Sequence, residues 1–445
     1  MQRWLSLLFL PMAAMAADYR AGVAKVDITP KDLVWLSGYA SRTKPAEGTL
    51  QALYAKALAL EDKKGTRVVI VTTDLIGLPR VMTDAVAARL AKEHGIERAR
   101  VLFNSSHTHT GPVIRANLST MYNLTPEMDA KLDVYARQLT ENLFTAAASA
   151  LGQLKPASVR YVEGTAGFAM NRRQAASAGV RIGVNPQGPT DHSVPVMVVS
   201  GEDGKPFAVL FGYACHNTTL TGEHYKYSGD YAGFAQEEIE AGMPGVTALF
   251  MILCGADQNP NPRSTEQIAR DHGHRLAESV KSAMGTPGTV VKGNLRGAYQ
   301  TIKLNFRPHT REDFVKESQS KNRFEVNRAK DMLKAYDAGA PVRTTPYPVQ
   351  AIRFGNAVTL VALGGEVVVD YDLRIKKEFP KQKLIVAGYS NDVMSYIPSV
   401  RILREGGYEA ESSMIYYGMP GPYSEDVEES IIGSVKAVLK RVGVK

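Results

Sequence analysis

An apolar run, an amphipathic segment and a second apolar run follow one another between residues 67 and 103. The first run, Arg-Val-Val-Ile-Val-Thr-Thr over 67–73, has the β-branched composition of a buried strand and opens into Asp74. Helical periodicity over about 81–93 precedes the second run, residues 99–103. Two strands joined through a helix form a βαβ unit, whose connection is almost always right-handed. The sequence therefore predicts an α/β fold.

Strand and helix patterns alternate along the rest of the chain. Residues 194–200 and 206–213 are apolar strands joined by Gly-Glu-Asp-Gly, which is typical of a hairpin. Further strands are predicted at 158–163, 246–254, 290–305, 349–362 (a hairpin turning at 354–357) and 384–387, and helices at 127–151, 232–240, 264–284, 310–336 and 425–441. Because no repeat or low-complexity linker divides them, we expect a single compact domain with mixed β-sheets and flanking helices.

The composition, 44% hydrophobic and 22% charged over 445 residues, is that of a globular enzyme. The formal charge of +8 is spread along the chain, and nucleic-acid-binding motifs are absent, so we expect no nucleic-acid partner. Cys215 and Cys254 each end an apolar strand-like run. They could pair on neighbouring strands, but two buried free thiols are the favoured interpretation.

The first residues have the pattern of a secretory signal peptide. A short basic start at 1–3 precedes an apolar run at 4–12 and a small-x-small sequence at 14–16. The run is too short to span a bilayer. We therefore expect a signal peptide at 1–16, a catalytic domain at 17–445, and a secreted or periplasmic protein.

Two histidines stand two residues apart in His107-Thr-His109, just after the predicted strand at 99–103. Residues i and i+2 of an extended segment point to the same side, so we expect both imidazoles in one cleft. Catalytic groups of open α/β sheets lie at this end of a strand. An isolated His-x-His is as often a chance pair of hydrogen-bonded histidines, so the interpretation depends on the rest of the chain.

Other chemically useful side chains also follow predicted strands. The 207–215 run leads to His216, the 359–363 run to Glu366, and the 384–387 run to Tyr396. Arg172 follows a glycine-containing turn. Singly, each has a structural explanation: a capping histidine, a surface carboxylate, a packed tyrosine or a solvated arginine. Together they offer the nitrogen and oxygen donors that a catalytic zinc uses.

Several short elements carry a family resemblance. They are residues 21–30 (Ala-Gly-Val-Ala-Lys-Val-Asp-Ile-Thr-Pro), 71–74, Ser-His-Thr-His-Thr-Gly-Pro at 106–112, Asn171-Arg172, Cys215-His216, Ser-Gly-Asp at 228–230, Gly365-Glu366, and Tyr396 with Tyr408. In this order they resemble the neutral/alkaline non-lysosomal ceramidase family over nearly the whole mature chain.

The resemblance implies a zinc site and the roles of its neighbours. The implied zinc ligands are His107, His216, Glu366 and Tyr396. By the same resemblance His109 is the acid–base residue, and Arg172 and Tyr408 hold the substrate carbonyl. Asp257 and Asn259, in the loop that follows the predicted strand at 246–254, are expected to line the mouth of the cleft and contact the substrate. The implied reaction is hydrolysis of the N-acyl bond of a ceramide-like lipid to a fatty acid and a sphingoid base, with peripheral membrane contact expected.

Two departures from the family bear on substrate admission. The family has a Gly-Asp-Val-Ser-Pro-Asn loop where this chain has Gly-Ala-Asp-Gln-Asn-Pro-Asn at 255–261, so Asn259 replaces the serine and one residue is added. The family's C-terminal β-sandwich-like domain is expected to be missing.

Other functions fit parts of the same pattern. The same zinc centre could hydrolyse another N-acyl amide or an ester. A zinc-holding binding protein without catalysis is a further alternative, which His109, Arg172 and Tyr408 argue against because metal binding does not need them. A serine hydrolase is disfavoured because no Gly-x-Ser-x-Gly elbow is present.

Overall fold

The structure, a computed structural model, describes residues 17–177 and 179–444. The predicted signal peptide at 1–16 lies outside the described residues. The strands are β1 (Tyr19–Asp27), β2 (Gly48–Thr49), β3 (Tyr54–Asp62), β4 (Arg67–Thr73), β5 (Val101–Ser105), β6 (Lys155–Thr165), β7 (Ala169–Asn171), β8 (Arg173–Ala176), β9 (Gly179–Ile182), β10 (Ser193–Ser200), β11 (Pro206–Tyr213), β12 (Lys226–Tyr227), β13 (Thr247–Ile252), β14 (Gln258–Pro260), β15 (Thr289–Val291), β16 (Leu295–Asn305), β17 (Thr344–Phe354), β18 (Val358–Leu363), β19 (Glu366–Val367), β20 (Leu384–Ala387) and β21 (Tyr396–Ile397).

The helices lie between these strands or follow them. They are α1 (Arg80–His94), α2 (Pro126–Gly152), α3 (Asp230–Gly242), α4 (Glu266–Met284), α5 (Arg311–Glu317), α6 (Arg323–Asp337), α7 (Val369–Glu378), α8 (Val400–Glu405), α9 (Met414–Tyr417) and α10 (Val427–Arg441). A π-helical turn, Tyr408–Ser412, precedes α9. The Thr125 side chain caps α2, which has proline at its first position.

The larger sheet has the strand order β13-β11-β10-β6-β1-β3-β4-β5, with β15 paired to β6. Strands β4 and β5 are parallel and joined through α1, which confirms the predicted βαβ unit. Strands β10 and β11 are antiparallel, which confirms the predicted hairpin. The sheet curls so that its edges meet: the Asn104 side chain bonds both the N–H and the carbonyl of Ile252.

The second sheet has the order β16-β17-β18-β20 and packs face to face on the first. Alternate residues of β3 and β4, such as Leu58 and Ile70, share a buried cluster with Ile352 and Leu360 of the second sheet. Helices α1 and α2 cover the outer face of the first sheet near β3 and β4, α3 and α4 cover it near β10 and β11, and α10 packs on β16 and β17. The result is a helix–sheet–sheet–helix arrangement, which confirms the predicted α/β fold with mixed sheets in a single compact domain.

One predicted helix is divided in the structure. The charged segment predicted as one helix at 310–336 divides into α5 and α6, because Thr310 forms a capping box with Asp313 and Asn322 caps a new helix start. Both cysteines, Cys215 and Cys254, are buried free thiols, as predicted.

Within residues 17–177 and 179–444, no helix has the length and apolar character needed to cross a membrane.

Candidate functional site

The two histidines of the His-x-His element lie in one cleft, but not for the predicted reason. Strand β5 ends at Ser105, and His107 has a left-handed backbone with φ of 62°. A turn, rather than the alternation of an extended segment, brings the rings of His107 and His109 to a centroid separation of 4.7 Å. The hydroxyls of Thr108 and Thr110 both donate to the carbonyl of Ser228 at 2.8 Å, which holds this turn.

His107 and His216 are held in the same tautomer. Their Nδ1 atoms lie 2.6 Å from the carbonyl of Ile76 and 2.9 Å from that of Gly255. A carbonyl oxygen only accepts, so Nδ1 carries the proton and the lone pair of each ring is on Nε2. Burial, with Arg172 adding to it, lowers the pKa of His216 to about 3, which keeps this ring neutral.

The free lone pairs of these two rings converge on a carboxylate. Oε2 of Glu366 lies 3.0 Å from Nε2 of His107 and 3.2 Å from Nε2 of His216. All three side chains are buried. Three acceptors that face one another repel unless a cation lies between them. This cluster therefore has the chemistry of a metal site.

Tyr396 adds an oxygen to the cluster. Residues Glu366 and Tyr396 are direct register partners in the parallel pair β19 and β21, and the Tyr396 hydroxyl lies 3.2 Å from Nε2 of His216. Zinc bonds of about 2.0–2.1 Å at tetrahedral angles place neighbouring donor atoms about 3.3 Å apart. The donor types and spacings of His107, His216, Glu366 and Tyr396 therefore fit a zinc ion. Ring hydrogen bonds to backbone carbonyls are the usual support of such ligands.

Two further tyrosines orient Glu366. Tyr417 donates a short hydrogen bond to Oε1, and Tyr389 donates to Oε2 at 3.4 Å. Neither was predicted from the sequence, because no motif accompanies them and Tyr417 belongs to the short helix α9, 51 residues away from Glu366.

His109 differs from His107 and His216 in how its ring is held. Its Nε2 lies 3.1 Å from Nε2 of His107, so the nitrogens of His107, His109 and His216 form one group of candidate metal donors. Its Nδ1, however, has no hydrogen-bond partner among the described residues. The ring packs against Tyr39 and the backbone of Gly38, where a Cβ atom would come within 2.4 Å of Nδ1. Mainly through burial, the pKa of His109 lies well below 6.5. His109 is thus a neutral imidazole at the edge of the cluster.

Arg172 is buried, with each part of its guanidinium engaged. Nη2 donates to the Tyr396 hydroxyl at 3.0 Å, and Nη1 lies 3.2 Å from Nε2 of His216. Nε donates to Glu409 at 2.7 Å, and the other oxygen of Glu409 accepts from Arg173 at 2.6 Å. Although burial opposes it, these arginines hold the pKa of Glu409 below its usual range. Glu409 was not predicted from the sequence, yet it fixes the arginine beside the cluster.

Asn259 and Asp257 contact different parts of Arg172: Asn259 contacts its guanidinium, and Asp257 contacts its backbone N–H. Asn259 is on β14, which pairs with β7, and its Oδ1 accepts from Arg172 at 3.2 Å and from Thr218 at 3.4 Å. Asp257 is fully buried; its carboxylate accepts from the N–H of Val369 and from Asn171, and its carbonyl accepts from the N–H of Arg172. Asp257 therefore supports Arg172 and the start of α7, and its contact with the substrate stays a prediction.

Tyr408 lies on the solvent side of the cluster. Its ring is 5.3 Å from that of Tyr396, and the Arg172 guanidinium is 5.6 Å from its centroid. The ring is partly exposed and lines an open cavity of about 520 Å³ together with Tyr416. Tyr408 thus lies between this cavity and the cluster.

The sequence matches a family model described as neutral/alkaline non-lysosomal ceramidase, N-terminal, over residues 19–250. The chain belongs to this family. The matched region contains His107, His109, Arg172 and His216, and Glu366 with Tyr396 lies beyond it.

Individual relatives agree with the family match. The chain is 33% identical to neutral ceramidase 2 of Arabidopsis thaliana over 111 residues, 24% of this chain and 15% of the relative. It is 25% identical to neutral ceramidase B of Dictyostelium discoideum over 270 residues, 56% of this chain and 36% of the relative. The matches thus span well under two thirds of these relatives. The crystal structure of neutral ceramidase from Pseudomonas aeruginosa shares the fold, with a TM-score of 0.71 and 20% identity over 96% of this chain and 75% of that chain.

Proposed function

We propose that this chain is a zinc-dependent amidohydrolase that cleaves the N-acyl bond of ceramide-like lipids to a fatty acid and a sphingoid base. The observation that carries the proposal is the convergence of two Nε2 lone pairs, on His107 and His216, upon Glu366. Family membership and the ceramidase activity named for the similar proteins support ceramide as the substrate class.

The zinc ligands in this proposal are His107, His216, Glu366 and Tyr396. When bound, zinc supplies a Lewis acid that lowers the pKa of a water molecule to about 7 and polarises a carbonyl oxygen. Tyr396 is the weakest of the four donors, because burial raises the pKa of its phenol well above 10 even though Arg172 opposes the shift.

His109 is the proton carrier. Burial keeps its imidazole neutral, so that it can accept a proton from the attacking water. The protonated His109 then returns that proton to the amine that leaves the cleaved amide. Because an amine is a poor leaving group without a proton, this return is the step in which His109 matters most.

Arg172 and Tyr408 hold the substrate carbonyl. An arginine and a phenol directed at the oxygen where negative charge develops stabilise that charge, and one such donor contributes roughly 3–4 kcal/mol in other enzymes. The hydrogen bond from Nε of Arg172 to Glu409 leaves the outer nitrogens of the guanidinium facing the cluster. Because the Arg172 guanidinium is already oriented, it does not have to move during the reaction.

Secretion or periplasmic localisation is also proposed, on the basis of the signal-peptide pattern at 1–16. Since ceramide-like substrates reside in bilayers, we propose peripheral contact with lipid as the way the substrate is reached. Another N-acyl amide or an ester remains the alternative substrate of the same centre.

The test measures fatty-acid release from a short-chain ceramide, a fatty-acid ethanolamide and a matched ester, together with zinc content. We expect hydrolysis of the ceramide, loss of activity and zinc after chelation, and recovery on zinc addition. His216→Ala should lose both zinc and activity.

His274→Ala is the matched control, because His274 lies in an exposed group with Glu238 and Glu278 on α3 and α4, away from the cluster. It should retain both readouts. Full zinc occupancy in His216→Ala would remove His216 from the ligand set, and activity only on the ester would replace the proposed substrate class.

A further inference from the structure

Arg42 is a buried cation that no carboxylate of the described residues neutralises. Its side chain is 3% exposed, and it donates to the backbone carbonyls of Ser37 at 2.6 Å, His109 at 2.7 Å and His224 at 3.1 Å. Among the described residues it forms no ion pair, and its Nε has no hydrogen-bond partner. Burial lowers the pKa of Arg42 to about 10, so it is still charged at neutral pH. A buried charge of this kind is costly unless a counter-charge joins it.

The neighbouring rings compensate this charge only in part. The guanidinium carbon lies 4.9 Å from the ring centroid of Tyr39 and 5.9 Å from that of Tyr225. Cation–π contacts contribute about 0.5–2 kcal/mol, less than a buried carboxylate partner would. The positive charge of Arg42 is therefore not fully compensated by these contacts, and a bound anion would stabilise it further.

A cavity of about 350 Å³ adjoins Arg42, and none of the described residues that line it is acidic. Arg323 of α6 stands exposed at the same cavity, and among residues 17–177 and 179–444 it too forms no ion pair. Aromatic rings of Trp35, Tyr39 and Tyr122 form much of the wall. Two arginines that form no ion pair among the described residues can bind a compact anionic group, and the aromatic rings can pack against the organic molecule that carries it.

The cavity is next to the proposed proton carrier. Tyr39 lines it and places its ring 4.8 Å from the ring of His109, while Arg42 bonds the carbonyl of His109. Arg172 and Tyr408, which would hold the carbonyl, do not line it. Because His109 would give its proton to the departing amine, the cavity lies beside the amine portion of the substrate.

We propose that this cavity binds an anionic group on the amine portion of the substrate, so that the preferred substrates are N-acyl amides such as N-acyl amino acids. The inference rests on the proposed hydrolysis of N-acyl bonds, and among the substrates considered for that reaction it favours N-acyl amides with an anionic amine portion over neutral ceramides. A carboxylate two bonds from the amide nitrogen is the simplest group of this kind.

Hydrolysis of N-dodecanoylglycine is compared with that of its neutral isostere, N-dodecanoylglycinamide. We expect kcat/KM to favour the acid by at least tenfold. Arg323→Gln should reduce this ratio about tenfold through KM of the acid. Arg311→Gln, on the adjacent helix α5 and outside the cavity lining, is the matched control and should keep the wild-type ratio. A ratio near one in the wild-type protein, or a ratio that Arg323→Gln does not change, overturns the proposal.

Calorimetry separates this proposal from the proposed function. N-acetylglycine, N-acetylglycinamide and acetate are titrated into the metal-loaded and the chelated protein. We expect N-acetylglycine to bind more tightly than the other two compounds, with or without metal, and to bind more weakly to Arg323→Gln and Arg42→Lys. This result supports anion binding in the cavity even where no substrate is hydrolysed. Binding that disappears with the metal, or acetate binding as tight as that of N-acetylglycine, overturns it.

Discussion

Glu409 accepts a hydrogen bond from Nε of Arg172 at 2.7 Å, between two side chains that are 237 residues apart and both almost fully buried. The second oxygen of Glu409 accepts from Arg173, so one carboxylate neutralises two buried guanidinium groups. Arg172 also contacts Tyr396 and His216. Glu409 therefore fixes the position of the Arg172 guanidinium beside the residues proposed to hold the metal. Glu409 is therefore a positioning residue.

Glu409→Gln should lower kcat by roughly 10²- to 10³-fold, with a smaller change in KM, because a misplaced arginine stabilises the developing oxyanion less. Glu405→Gln is the control: Glu405 is partly exposed, and among the described residues its ion pairs are with Arg173 and Arg401. Steady-state kinetics, zinc content and thermal unfolding are measured for both. A Glu409→Gln protein that loses zinc and stability in proportion to activity would show a purely structural role.

His109→Ala should keep its zinc and lose several orders of magnitude in kcat on an amide, because only water is then left to protonate the amine. An activated ester, whose leaving group needs no proton, should be affected much less. The measurement is kcat on a matched amide and ester, with metal analysis. Equal losses on both substrates, or loss of zinc, would identify His109 as a ligand or a structural residue.

The sequence predicts strands best where burial alone defines them. The bounds of β4 and β20 agree with prediction because both are short apolar runs. The positions of His216 and Glu366 after strands were predictable for the same reason. Glu409 and Tyr417 were not, since each meets its partner only after distant segments pack. The left-handed turn at His107 also escaped prediction, because Thr108 and Thr110 are held by Ser228, more than 100 residues away.

Asp392 makes stability depend on pH. It is largely buried and accepts the N–H of Arg80 at 3.0 Å, and burial raises its pKa to about 7, against about 3.9 in an unfolded chain. Between pH 4 and pH 7 the folded protein keeps a proton that the unfolded chain releases. The free energy of unfolding therefore falls as the pH rises through this window.

Asp392→Asn should remove this contribution while keeping the acceptor for Arg80. Relative to wild type, its free energy of unfolding should rise by roughly 2–3 kcal/mol between pH 5 and pH 8. Urea unfolding of the chelated proteins at both pH values measures the difference. Asp203→Asn, in the exposed turn between β10 and β11, serves as the control. A difference between Asp392→Asn and wild type that is the same at both pH values would contradict the expectation.

Asn259 lies at the position where the family resemblance predicts a serine, and its Oδ1 accepts from both Arg172 and Thr218. An amide can accept and donate hydrogen bonds but cannot act as a nucleophile, so its effect is expected on the admission of substrate rather than on the metal. Asn259→Ser should change the ratio of kcat/KM between long-chain and short-chain N-acyl substrates by about tenfold, with zinc content unchanged. Asn259→Ala removes both hydrogen bonds and is the comparison that separates loss of the amide from gain of a hydroxyl. If both variants keep wild-type kinetics on every chain length, the loop is only a rigid turn beside Arg172 and takes no part in selectivity.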